Sequence, residues 1–245
     1  MPEQLAFNMD CLEALKDVPD KYFDLCIADP PYGLNITGQH GSQTVNVERE
    51  RTQIIGGARP FGGKNSAGVR FKQKSPIQST FYTVFDDSAA PNEEAFTALL
   101  RVSKKTVIWG GNFFLDHLGR ATCMIIWDKE RRGLTQADCE IAWTNLKGQS
   151  RIFDYKWNGM LQQDMKNKEH RIHATQKPVA LYKWILKNYA EEGEKVLDPY
   201  LGSGSSRIAA YDLGYDFIGY EINETIFKEQ EERFAKHTAQ TSLFV

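Results

Sequence analysis

An aspartate, two prolines and a tyrosine, Asp29-Pro30-Pro31-Tyr32, close the apolar run Phe23-Asp24-Leu25-Cys26-Ile27-Ala28. The run reads as a buried strand, so the tetrapeptide stands at a strand's carboxyl end, where open α/β sheets bind ligands. Each proline fixes its own φ and restricts the residue before it, which stiffens the corner. Stiff carbonyl acceptors and a carboxylate beside an aromatic ring suit a planar group with an amino substituent, such as a nucleobase. The ring can stack on the base while Asp29 and a carbonyl accept the amino hydrogens. The competing reading is an ordinary Pro-Pro turn after a strand.

A second corner follows the strand-like Glu194-Lys195-Val196-Leu197: Asp198-Pro199-Tyr200-Leu201-Gly202-Ser203-Gly204, then a helix from about Ser205 to Leu213. Glycines there let a ligand approach the backbone closely. Tyr215-Asp216-Phe217-Ile218-Gly219-Tyr220-Glu221 reads as the next strand, and Glu221 stands 17 residues beyond Gly204. An acid about 20 residues past a glycine loop commonly receives ribose hydroxyls, which points to a nucleoside-containing cofactor. The loop lacks the spacing and lysine of a nucleotide-phosphate loop, so phosphoryl transfer is disfavoured. Arg207 stands where a dinucleotide fingerprint would carry its third glycine.

Together the two corners resemble the S-adenosylmethionine-dependent amino-methyltransferases. The order here, acid-Pro-Pro-aromatic before the glycine loop, resembles the permuted β class of DNA methyltransferases, a class found as bacterial or phage modification methylases. Asn8-Met9-Asp10-Cys11, Trp109-Gly110-Gly111-Asn112, Trp127-Asp128-Lys129 and His173-Ala174-Thr175-Gln176-Lys177-Pro178 are similar to other segments of that family. Only residues 34–90 and roughly 148–170 fall outside the resemblance. Departures are mild: Tyr200 and Ser205 stand where phenylalanine and threonine are commoner.

The resemblance implies a Rossmann-like, mostly parallel twisted α/β sheet with helices on both faces, an antiparallel edge strand and a circularly permuted order. It implies Asp29, Pro30, Pro31 and Tyr32 as the catalytic corner acting on a flipped-out base in double-stranded DNA. It implies S-adenosylmethionine held by Asp10, Cys11, Asp29, His173, Lys177, Asp198, Pro199, Tyr200, Gly202, Ser203, Gly204 and Glu221. Among these, Asp10 would meet the adenine amino group and Glu221 the ribose. An aspartate at the head of the tetrapeptide leans towards adenine N6, a serine towards cytosine N4. Alternatives are N4-cytosine methylation, methylation of RNA or a protein amide on the same scaffold, and a non-catalytic DNA-binding subunit. A nicotinamide oxidoreductase would leave the tetrapeptide without a role.

At 245 residues the chain fits one large domain with a substantial core. No run approaches the ~18 apolar residues of a membrane span. Met1-Pro2-Glu3-Gln4 shows neither a basic start nor an apolar stretch, so a cytoplasmic, nucleoid-associated location is expected. Cys11, Cys26, Cys123 and Cys139 are widely spaced, which predicts reduced thiols and no metal site. The net charge of −2 conceals two basic segments. Residues 39–80 hold seven Lys/Arg against two acids, and residues 147–183 hold eight against three, a net +5 each. Such segments suit a face that meets a phosphate backbone, although charge runs are often only solvated.

The first basic segment lies within a Gly- and Ser-rich stretch, 34–90, expected to be an insertion that is partly disordered without DNA. Residues 148–170 are the candidate target-recognition segment of a single domain, 1–245. Helices are expected at Asp10–Asp17, Asn92–Ser103, Phe113–Leu118, Pro178–Tyr189 and to about Ala235. Further strands are expected at Gln4–Met9, Thr106–Trp109, Ala121–Asp128 and Glu140–Thr144. Gln240-Thr241-Ser242-Leu243-Phe244 resembles the Gln-x-x-Leu-Phe tail that binds bacterial sliding clamps; a frayed terminus, or a Leu-Phe pair docked on its own domain, is the alternative. Relatives in the family are often dimers, so a homodimer is a further expectation.

Overall fold

A computed structural model describes residues 2–34, 90–133, 137–158, 161–173 and 175–241, with 240 and 241 described by backbone alone. Its main sheet has eight strands: β1 (Gln4–Phe7), β2 (Phe23–Ala28), β3 (Ser103–Trp109), β4 (Met124–Asp128), β5 (Cys139–Thr144), β6 (Arg151–Asp154), β9 (Lys195–Asp198) and β10 (Asp216–Tyr220). A separate two-stranded ribbon pairs β7 (Trp157–Asn158) with β8 (Leu161–Gln162). Across the main sheet the order is β1-β10-β9-β2-β3-β5-β4-β6. The β1–β10 pairing seats the start of the chain beside its last strand, as a permuted order requires.

All neighbours run parallel except β5, which is antiparallel to both β3 and β4. The expected antiparallel edge strand is therefore corrected: β5 is internal, and β4 and then β6 lie outside it. Residues 151–154 had no strand pattern to read, being four residues with charged ends. They pair in parallel with β4 and form the outer edge of the sheet. Part of the expected recognition segment is thus sheet, and the rest carries the ribbon.

Buried parallel strands must satisfy both faces, which explains the near-continuous apolar runs. Leu25 and Ile27 point to one face and Cys26 and Ala28 to the other, the two-residue period of a strand. On the first face, α4 (Val179–Tyr189) and α5 (Ser205–Leu213) bury Leu181, Ile185, Leu186, Ala209 and Ala210 against Val107, Val196 and Phe217. On the second, α1 (Cys11–Leu15) and α2 (Glu93–Val102) bury Leu15, Phe96, Leu99 and Val102 against Phe23 and Ile108. Asn92 caps α2 by accepting from the Ala95 N–H at 3.1 Å, with Glu93 and Glu94 in the first turn, as the sequence indicates. The expected helix 113–118 is a 3₁₀ turn, Gly111–Phe113, followed by α3 (Leu115–Leu118). The last helix, α6 (Glu224–Thr241), runs six residues past the expected end.

Arg207, in place of a third glycine, is buried. It donates to the Gln4 carbonyl at 3.0 Å, pairs with Glu231 and stacks on Phe234, fastening β1, α5 and α6 together. All four cysteines are free. Among the described residues no helix is long and apolar enough to cross a membrane. Most of the insertion 34–90, and residues 242–244 of the clamp-like segment, lie outside the described residues.

Candidate active site

Strands β2 and β9 are neighbours, paired at Leu25–Val196 and Cys26–Leu197. From β9 the chain crosses through α5 to β10 on one side; from β2 it proceeds to β3 on the other. That reversal is the switch point at which open α/β sheets leave a crevice. Both sequence motifs leave the sheet there. Between them lies a cavity of about 680 Å³, within the usual range for a small-molecule site. Asp29 and Pro31 line it from the first corner, and Pro199, Tyr200, Gly202 and Ser203 from the second. Asp10, Cys11, His173, Lys177 and Glu221 complete the expected lining. Pro30, Tyr32, Asp198 and Gly204, also expected at the site, are not among its lining residues; each adjoins one that is.

The glycine loop turns because Gly204 adopts φ +73° at the head of α5, a conformation that disfavours any side chain. Asp198 holds the loop from behind, accepting from the Tyr200 N–H at 3.0 Å and from the Ser206 hydroxyl. Burial pushes its carboxyl up to about 7. Glu221 accepts from the Gly202 N–H at 2.9 Å and the Asn223 N–H at 2.8 Å, which fixes its carboxylate at the rim. Arg233, on α6, donates to the Ser203 carbonyl at 2.7 Å and to Glu169 at 2.8 Å, a brace that no motif announced.

Asp10 serves two readings at once. It caps α1 through the Leu12 N–H at 2.7 Å and also lines the cavity. Burial, with Asp10 beside it, raises the Cys11 thiol to about 12, so it is a neutral wall rather than a nucleophile. His173 is pushed down to about 4 by burial and by Lys177, and so remains a neutral imidazole near neutral pH.

At the first corner, Asp29 Oδ2 lies 2.5 Å from Lys177 Nζ, and Oδ1 accepts from the Tyr32 hydroxyl at 2.9 Å. Lys177 thus reaches the Asp29 corner as well as the cavity wall. The Tyr32 ring stacks on Phe113, centroids 5.2 Å apart. A Cβ on Gly110 would lie 2.3 Å from that ring, so the glycine is what admits it. Glu140 was not singled out from sequence. Its Oε2 lies 3.1 Å from Lys177 Nζ and its other oxygen is held by Lys129. Burial disfavours its charge, but Lys177 and Lys129 outweigh that and hold the carboxyl down at about 2. An acid inside an otherwise apolar strand was the available signal. Among the described residues no His, Cys, Asp and Glu gather as a metal site.

These features define a doubly wound α/β protein with a nucleoside-sized cavity between a rigid acidic corner and a glycine loop. The chain belongs to the DNA methylase family, whose model matches residues 23–232. It is 24% identical over 244 residues to the Type II methyltransferase M2.DpnII of Streptococcus pneumoniae, covering 94% of this chain and 89% of that one. It is 23% identical over 242 residues to M2.LlaDCHI of Lactococcus lactis subsp. cremoris, covering 94% and 88%. Its fold is similar to that of M1.HpyAVI in a complex with SAM (TM-score 0.50, 18% identity, 94% and 98% covered). It is also similar to the cytosine-N4-specific PvuII DNA methyltransferase (TM-score 0.51, 12% identity, 96% and 89% covered). The family resemblance carried by the two motifs is thereby borne out.

Proposed function

We propose that the protein transfers a methyl group from S-adenosylmethionine to the N6 amino group of an adenine flipped out of duplex DNA. The observation that carries this reading is the cavity bounded by Asp29 on one side and by Ser203 and Glu221 on the other. The donor set fits the cofactor: the Glu221 carboxylate would take the ribose hydroxyls, the Gly202-Ser203 loop would admit it closely, and Asp10 would accept from the adenine amino group, all lining one cavity. When bound, the cofactor supplies an electrophilic methyl carbon on a sulfonium.

The protein's own groups do the rest. An exocyclic amino nitrogen is a poor nucleophile because its lone pair is delocalised into the ring. Asp29 and the Pro30 carbonyl accept its two hydrogens, favour tetrahedral geometry and free the lone pair, help aimed at the transition state. The stiff corner aligns nitrogen and methyl carbon, which removes much of the entropic barrier. Tyr32 supplies a face for the extruded base, worth ~1–3 kcal/mol of stacking. No covalent intermediate is required. The aspartate at position 29 is the residue that favours adenine.

A labelled-methyl assay on duplex DNA, RNA and protein tests this. Label is expected in DNA as N6-methyladenine, and Asp29→Ala should reduce it by about 10²- to 10³-fold. Methylated cytosine, or an active Asp29→Ala variant, overturns the assignment.

Residues 34–90 and 148–170 are proposed to read the DNA, in a protein that works in the cytoplasm beside the nucleoid, as a homodimer. Segment 240–244 is proposed to engage a sliding clamp. Deleting 240–245 should abolish clamp binding in fluorescence anisotropy while methylation persists. Equal clamp binding with and without the segment ends that proposal.

A further inference from the structure

Lys177 stands between two carboxylates. Its Nζ lies 2.5 Å from Asp29 Oδ2, 3.1 Å from Glu140 Oε2 and 3.3 Å from the Tyr32 hydroxyl, and its side chain is 3% exposed. Lys129 holds Glu140 from the far side. Four charges therefore alternate in one buried row: Asp29, Lys177, Glu140, Lys129. An ammonium this buried is costly unless a carboxylate accompanies it throughout. Asp29 is the acid required to accept amino hydrogens, yet one of its oxygens is engaged by Lys177 and the other by Tyr32. An amino group arriving at Asp29 must share an oxygen with Lys177 or Tyr32 or displace one of them. Glu140 lies within reach of the same ammonium, so Lys177 can release Asp29 without becoming unpaired. Glu140 itself stands outside the cavity lining and acts through Lys177.

We propose that Glu140 is a positioning residue for methyl transfer: it takes over Lys177 when the target amino group occupies Asp29. Lys177 is then a charge that moves between two carboxylates rather than a fixed clamp. This rests on the reading of Asp29 as the amino-group acceptor.

The charge on Glu140 also acts on Asp29. Lys177 and Tyr32 contact Asp29, Glu140, Tyr182 and Asp198 interact with it through charge, and His173 and Lys129 feel the charge of Lys177. Burial raises the Asp29 carboxyl, Lys177 opposes this, and Glu140 reinforces it. Neutralising Glu140 therefore lowers the pH at which Asp29 ionises. A residue that supported the fold without its charge reaching Asp29 would leave that pH unchanged, and it is the rate loss beside the moved limb that marks a positioning role.

The experiment is single-turnover methylation of duplex DNA from the lowest pH at which the protein stays folded up to about pH 8, with cofactor and DNA affinities measured alongside. Glu140→Gln is expected to lower the plateau rate by about 10- to 100-fold, as loss of an outer partner typically does. Both affinities should stay within about threefold, and the acid limb should move to lower pH. Glu140→Asp keeps the charge at shorter reach, so it should show an intermediate rate with an unmoved limb. A wild-type rate in Glu140→Gln, or a lowered rate with an unmoved limb, overturns the proposal. If Glu140→Gln does not fold, Glu140→Asp decides: a wild-type rate overturns the proposal and an intermediate rate supports it. Wild-type protein that leaves DNA unmethylated overturns the functional reading instead, so the two failures are distinct.

Discussion

Asp198 holds the glycine loop and His173 lines the cavity, and burial shifts their pKa values in opposite directions. Asp198 goes from 3.8 up to about 7; His173 goes from 6.5 down to about 4. Between pH 3.8 and about 7 the folded protein holds a proton on Asp198 that the unfolded chain releases, so this contribution to stability is lost as pH rises through the window. His173 acts the other way. Its contribution is fully present above 6.5 and is lost as pH falls towards about 4. A comparison of variants separates the two. Asp198→Asn keeps an oxygen acceptor for the Tyr200 N–H but does not titrate. Its melting temperature relative to wild type should therefore rise as pH increases from about 4 to about 7. Thermal melts across that window check this, and a pH-independent difference rejects it. The two corner motifs and Glu221 were legible as residues, because stiff prolines, loop glycines and a strand-end acid each carry a local signal. Glu140 carried only the weak signal of an acid in an apolar strand, and Arg233 carried none, since it acts through Ser203 and Glu169, partners distant in the chain.

At the scale of elements, local chemistry decided most boundaries. Asn92 starts α2 and Pro178 caps α4, and α5 spans the expected 205–213. Gly204 is where the glycine loop turns into α5. In Gly204→Ala, the left-handed backbone costs roughly 1–2 kcal/mol. The new Cβ would also meet Gln230 Oε1 at 3.0 Å. We expect a stability loss of about that size with weaker cofactor binding, measured by chemical denaturation and titration calorimetry. Unchanged stability would show that the loop relaxes freely. Strand β6 was missed because four residues with charged ends show no period, and its pairing with β4 alone makes it a strand.

For the whole molecule, charge distribution matters more than the net −2. Arg151, Lys166 and Lys168 are exposed on the segment that runs from the sheet's outer edge past the ribbon. If they meet DNA phosphates, replacing all three by Gln should weaken binding uniformly across sequences. It should also reduce the slope of log affinity against log salt by about 1 for each phosphate no longer neutralised. Anisotropy titrations at several salt concentrations read this directly, and an unchanged slope removes this face from the DNA interface.

Strand-end motifs and glycine spacing by themselves pointed to a nucleoside-containing cofactor and to the two corners that meet at the cavity, because those features act within a few residues of one another; the fold class and the particular cofactor came from the family resemblance that the same motifs carry. Tertiary structure alone decided where the antiparallel strand goes. Inserted between β3 and β4, β5 runs against them and brings its amino end, with Glu140, to the edge where the other strands end. A strand at the outer edge of the sheet would have left that acid far from Asp29. Register and neighbour choice depend on pairings across the whole chain, and no local pattern encodes them.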